Sequence, residues 1–155
     1  MELTGREDID VPIEQAFEML TDVEVYERSA LRRGAEVTRL DNLPRVGVGA
    51  KWDIGFIFRG KERDVRLEIK GFDSPNEIDM EAKLQGLETD IKIELVALSR
   101  KKTRIQFWSG MRAKSLSARL LLQSLKLAKS SLNSRIEKRM VNLRKDLEDR
   151  YTRRA

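Results

Sequence analysis

The chain contains no His and no Cys, which narrows the chemistry it can perform. Without imidazole it lacks the usual proton shuttle near neutral pH and the commonest transition-metal ligand. A Ser-His-Asp or Cys-His nucleophile system is excluded, and a zinc site is close to excluded. No metal and no cofactor are expected. Acid–base work is left to Glu, Asp, Lys, Tyr and Arg. Tyr26 and Tyr151 fall in helical segments with no partner visible in the sequence. The strand phases described below turn three polar side chains inward: Glu7, Arg63 and Ser109. A buried Glu7 beside Arg63 could serve as a general acid or base. The alternative is an edge strand whose Glu7 meets water. Val46-Gly47-Val48-Gly49 has the spacing of a phosphate loop, but the third Gly and the following helix are missing.

The elements that must position these groups are legible from periodicity. Glu2 to Val11 reads as a strand with Leu3, Gly5, Glu7, Ile9 and Val11 on one side. Pro12 opens a short helix, where its missing N–H costs nothing, and Ile13, Ala16, Phe17 and Leu20 follow at helical spacing. A second short helix spans Val23 to Arg33, anchored by Val25 and Leu31, with Gly34 just past its end. Ala35 to Asp41 is a short strand, and Asn42 to Arg45 a turn. From Ala50 the chain becomes a β-meander. Trp52, Ile54, Phe56 and Phe58 alternate along one strand. Val65, Leu67 and Ile69 alternate along the next, then Ile78, Met80, Ala82 and Leu84, then Ile91, Ile93 and Leu95, and finally Thr103, Ile105, Phe107, Ser109 and Met111. Charged residues occupy most of the intervening positions, which is the pattern of an antiparallel sheet with one wet and one buried face.

The buried face needs a cover, and the last quarter of the chain supplies it. From Met111 to Arg150 the sequence reads as one long amphipathic helix, with no Pro or Gly after Arg112. Leu121, Leu125, Ala128, Leu132, Ile136, Met140, Leu143 and Leu147 fall within an arc of about 120°. Some 35 residues span roughly 50 Å, against about 30 Å for a six- or seven-stranded sheet. The charged end, about residues 148–155, is therefore expected to overhang or fray. Leu116, Leu120 and Leu127 cluster on the opposite side of the helix. They are either covered by loops, or they form a dimer contact, a pocket lid or a membrane contact. Arg112 to Ala155 holds 13 Lys/Arg and 4 Asp/Glu, a net +9, against −4 for the remainder of a chain of net charge +5. A basic helix can be a solvated outer face or can touch an anionic membrane surface. Nucleic acid is not expected as a partner, because no exposed aromatics are interleaved with the basic residues.

A chain of 155 residues suits one domain, 1–155, with one core. The amino terminus has no apolar signal segment, and no apolar run approaches the ~20 residues of a membrane span. A soluble, cytoplasmic protein is expected, as a monomer or a homodimer.

The order strand, two short helices, six strands, long helix resembles the START/Bet v 1-like superfamily (SRPBCC, the polyketide cyclase/dehydrase and lipid-transport group). Val11-Pro12-Ile13-Glu14-Gln15-Ala16-Phe17 and Val46-Gly47-Val48-Gly49-Ala50-Lys51-Trp52 carry the resemblance in detail. It implies an α+β helix-grip fold, in which a curved seven-stranded antiparallel sheet wraps a long C-terminal helix around a hydrophobic cavity. It further implies binding or transport of a hydrophobic small molecule or lipid without catalysis. The alternatives are a cyclase- or dehydratase-like enzyme using the same cavity, and a protein that contacts a membrane or partner through the basic helix. The candidate lining is Trp52, Ile54, Phe56, Val65, Leu67, Ile69, Met80, Ile93, Ile105 and Phe107, closed by Leu121, Leu125 and Leu132, with Glu7, Arg63 and Ser109 to orient a ligand. The same alternation would also serve a filled core, so the cavity rests on the resemblance.

Overall fold

The computed structural model describes residues 1–154. The elements run β1 (Glu2–Ile9), α1 (Ile13–Leu20), α2 (Val23–Arg32), β2 (Glu36–Arg39), β3 (Lys51–Phe58), β4 (Lys61–Asp73), β5 (Glu77–Leu84), β6 (Leu87–Ser99), β7 (Lys102–Ala113), α3 (Leu116–Leu127) and α4 (Lys129–Arg154). All seven strands form one antiparallel sheet in the order β1-β7-β6-β5-β4-β3-β2. Strands β3 to β7 pair in sequence, as five alternating runs joined by short turns require. The two helices after β1 carry the chain to the far edge, where β2 joins β3. At the Gln85-Gly86 hairpin both central residues have positive φ, 45° and 86°, the conformation of the two-residue turn whose twist matches a sheet. Register shifts between Ile69 and Gly71 and between Ala97 and Ser99 interrupt the two longest strands. Such bulges bend a strand and let the sheet curl.

The main core gathers Ile9, Val11, Phe17, Met19, Trp52, Ile69, Ile105 and Leu147. Phe17 of α1 meets Phe72 of β4 edge to face at 5.2 Å. Thr103 is fully buried, and its hydroxyl donates to the carbonyl of Val11 at 2.7 Å. Helix α4 packs on β1, and the approach is close because Gly5 has no side chain. A Cβ built there would lie 2.9 Å from Ile136 Cγ2 and 3.1 Å from Met140 Cγ. Glu7 points the same way and accepts a hydrogen bond from Arg144 Nε at 2.7 Å. Arg144 also reaches Glu148, whose other oxygen accepts the backbone N–H of Asp10. The inward phase read for Glu7 is thus satisfied by a cation on the helix, which answers the desolvation of a half-buried carboxylate.

The C-terminal region departs from the expected single helix in three ways. Strand β7 continues to Ala113, and Ser115 caps α3 by accepting from the N–H of Ala118 at 3.1 Å. The helix is interrupted at Ala128, whose N–H donates to Leu125 three residues back at 3.0 Å instead of four. The Ser- and Asn-containing residues 130–134 follow at once, and such side chains favour helix ends over helix interiors. Thirdly, the end of α4 does not overhang. Leu147 is fully buried, Tyr151 packs on the core, and Arg154 reaches Glu18 of α1 at 3.5 Å. Residue 155, the last of the 148–155 segment expected to overhang, lies outside the described residues. Helix α3 is seated apart from the main core. Its Ala118 and Leu122 pack with Leu87 in a small separate cluster.

The sheet, its curvature and the helix against it make this a helix-grip α+β fold. The closeness of α4 to β1 at Gly5 gives a direct test. Replacing Gly5 by Val should lower unfolding stability by about 1–3 kcal/mol through overpacking, measured by urea denaturation. An unchanged midpoint would mean that α4 does not bear on the strand at this point.

Candidate functional site: an apolar cavity beneath the second helix

The inward faces of β3 to β6 form a continuous apolar floor, made by Trp52, Ile54, Leu67, Ile69, Ile78, Met80 and Ile93. Over this floor stands α2. Its Val23, Tyr26, Glu27 and Ala30 recur at the spacing of one helix face and look onto the sheet. Leu20 and Thr21 close one side, Val37 and Val46 another, and Leu143 alone represents α4. Between floor and roof is a cavity of about 310 Å³. Protein interiors leave few voids larger than a water molecule. A space of this size exceeds such voids, and it stands at the lower end of ligand-pocket volumes.

The position of the cavity follows from where the long helix lies. Helix α4 covers the sheet at β1, so the β1–β7 half is filled by Ile136, Met140 and Leu147. The β2–β6 half is left to α2, a helix of ten residues that buries none of them fully. A short helix held at a distance cannot fill what a long one would.

Six of the expected lining residues come together here: Trp52, Ile54, Leu67, Ile69, Met80 and Ile93. Phe56 and Val65 lie outside the wall, further along β3 and β4 toward their hairpin. Ile105 is buried in the main core, and Phe107 packs beside it, on the half that α4 covers. Leu121 and Leu125 belong to the small cluster around Leu87, and Leu132 is half-buried away from the cavity. Of the three polar candidates none lines it. Glu7 is engaged by Arg144. Arg63 donates from Nε to the carbonyl of Phe58 at 3.3 Å, with its guanidinium 5.6 Å from the Phe58 ring. Ser109 is buried opposite Leu3 and Ile91. The expected Glu7–Arg63 pair does not form, because Glu7 stands at the opposite edge of the sheet against α4.

Periodicity does not reveal the roof, because the face of α2 that looks onto the sheet is only half apolar. Leu31, an expected anchor, is 56% exposed. The positions 23, 26, 27 and 30 carry the helical spacing, but only Val23 and Ala30 are plainly apolar. Ile78 and Leu143 belong to a strand pattern and a helix stripe that look the same for packing and for lining.

Among the described lining residues the ionisable side chains are Tyr26 and Glu27, both on α2, and none is Lys or Arg. Thr21 has committed its hydroxyl proton to the carbonyls of Phe17 and Glu18. Tyr26 is 41% exposed as a residue, yet desolvation by its neighbours pushes the phenol up to about 12, against a smaller opposing effect of nearby Arg150. The rim is stiffened by Arg39, which stacks over Trp52 at 4.9 Å and grips Asp41 at 2.5 and 3.0 Å. Asp41 also accepts the backbone N–H groups of Leu43 and Lys51. The Arg39 guanidinium, with these amides, holds the Asp41 carboxyl well below the usual carboxylate range. Among the described residues no cluster of Asp and Glu could hold a metal ion, and no helix is long and apolar enough to cross a membrane.

No family model matches the sequence, and no curated protein matches it. Solved structures do match in fold. The Zhui aromatase/cyclase from Streptomyces sp. R1128 superimposes with a TM-score of 0.69 at 12% identity, covering 97% of this chain and 95% of that one. The protein TTHA0849 from Thermus thermophilus gives 0.64 at 18% identity, covering 100% and 99%. A START superfamily protein from Mycobacterium smegmatis gives 0.56 at 12% identity, covering 88% and 97%. At these identities the likeness is one of fold.

Titration of Tyr26 tests the roof. Folding raises this phenol above its ordinary 10, so the stability it contributes is present below pH 10 and is lost as pH climbs toward about 12. A phenolate absorbance titration, compared with Tyr26→Phe, should show a component with its midpoint near 12. A midpoint near 10 would mean that the hydroxyl faces open water.

Proposed function

We propose that this chain, which has the START/Bet v 1-like (SRPBCC) fold, binds a small hydrophobic molecule in the cavity beneath α2 and releases it unaltered. The observation that carries the reading is the cavity itself: about 310 Å³ walled by apolar side chains. Burying an unpaired charge is costly. The absence of Lys and Arg from the described wall therefore argues against an anionic group in the buried part of the ligand, and the almost wholly apolar lining supports a neutral one. The volume suits a compact apolar molecule or a single acyl chain, and is too small for a whole phospholipid. A general acid and base facing one another across the space would favour an enzyme, but the two ionisable lining residues, Tyr26 and Glu27, are neighbours on one helix.

Native mass spectrometry of the purified protein, followed by extraction, should reveal a neutral apolar molecule at one per chain. An apolar fluorescent probe should bind the emptied protein. Ala30→Trp projects an indole from the roof into the space and should weaken probe binding by about tenfold or more, equivalent to about 1.4 kcal/mol, with the melting temperature held or raised. Undiminished probe binding by Ala30→Trp would place the site elsewhere. Recovery of a chemically altered molecule would point to the enzymatic alternative.

A further inference from the structure

Helix α3 has two faces of different character. Ala118 and Leu122 are buried and seat the helix on the sheet end beside Leu87. On the opposite face Leu116, Leu120 and Leu127 are 73%, 61% and 92% exposed. At 100° per residue these three leucines fall within an arc of about 40°, a ridge along the outer side of the helix. Arg119 and Lys126 flank it on one side. On the other, Arg59 from the β3–β4 hairpin donates to Ser124 at 2.7 Å and stands beside the ridge. Between Arg112 and Glu137 the sequence holds five Lys/Arg and no Asp or Glu.

We propose that α3 docks this protein flat on anionic membrane surfaces, with Leu116, Leu120 and Leu127 entering the acyl boundary and Arg119, Lys126 and Arg59 meeting lipid phosphates. An apolar stripe rimmed by Lys and Arg on a short helix is the pattern of an interfacial helix. Three largely exposed leucines aligned along one side of a helix mark a contact surface rather than ordinary surface scatter. Charge decides the partner. Two copies of this face would bring like charges together, whereas an anionic bilayer satisfies leucines and cations at once. The mounting also fits. The helix is seated on a small apolar cluster of its own and is separated from α4 by the interruption at Ala128. Its outer face can therefore enter a bilayer without disturbing the main core. It contributes no residue to the described cavity wall, so the inference stands independently of the ligand reading.

The test is cosedimentation of the full chain with phosphatidylglycerol vesicles and with phosphatidylcholine vesicles. Binding is expected to the former at low salt. It should be lost with the latter and at roughly 1 M salt, where the screening length falls to about 3 Å. The triple replacement of Leu116, Leu120 and Leu127 by Ser should weaken binding by about a hundredfold or more, given the transfer energy of three leucines. These side chains are largely exposed, so its circular dichroism and melting temperature should match the parent. Replacing Arg119 and Lys126 by Gln gives a second variant, which should shift the salt dependence without removing the ridge. The proposal fails if the parent does not bind anionic vesicles at low salt, if it binds both lipids equally, or if the serine variant binds like the parent. It also fails if sedimentation shows a dimer that the serine variant dissolves, since the ridge would then belong to a second copy of the chain.

Discussion

The contact on which the rest of the structure depends is the seating of α4 on β1 at Gly5. The helix comes within van der Waals reach of the strand because position 5 offers no Cβ. Around that crossing Ile136, Met140 and Leu147 fill one half of the sheet. The Glu7–Arg144–Glu148 network fixes the rotation of the helix about its own axis. A helix that sits this close to one edge cannot also cover the other. The sheet has seven strands and curves at its bulges, so the uncovered half faces inward with apolar side chains that nothing long enough is present to meet. The cavity is the geometric remainder of that mismatch.

What covers the remainder is α2, and its composition explains why it covers without filling. Val23 and Ala30 are short, and Tyr26 and Glu27 are polar residues where aliphatic ones would close the space. A helix with large aliphatic residues at these four positions would close onto Trp52 and Met80 and leave an ordinary core. The rim opposite is stiffer. Arg39, Trp52 and Asp41 form a stack and a bidentate pair that hold β2 and β3 in place. The floor and rim are thus rigid, while the roof is attached through few deep contacts. In such an arrangement local opening is cheapest at the roof.

The helical region after β7 divides its work for the same reason that it is interrupted. Helix α4 serves the core, and α3 is a separately mounted piece with one face seated and one face free. Its basic rim follows from the uneven charge of the chain, +9 after residue 111 and −4 before it.

The sequence by itself determined the class of fold. Period-two runs in Trp52–Phe58, Val65–Ile69, Ile78–Leu84, Ile91–Leu95 and Thr103–Met111 commit those segments to strands, and short turns between them leave little choice but a meander. Pro12 and the 3.6-residue recurrence after it commit α1. The lack of His and Cys removed whole classes of chemistry without any structure. These are local properties, set by backbone sterics and by the side of an element on which apolar residues recur. The tertiary structure alone decided which of those apolar faces meet each other. Ile54 and Ile105 read identically as inward strand residues, yet Ile54 lines a cavity and Ile105 is packed into the core. Leu143 and Leu147 share one helix stripe and part company in the same way. Whether an apolar side chain faces a neighbour or a space depends on the distance between elements far apart in sequence. That distance was set here by a glycine on the first strand and by the shortness of the second helix.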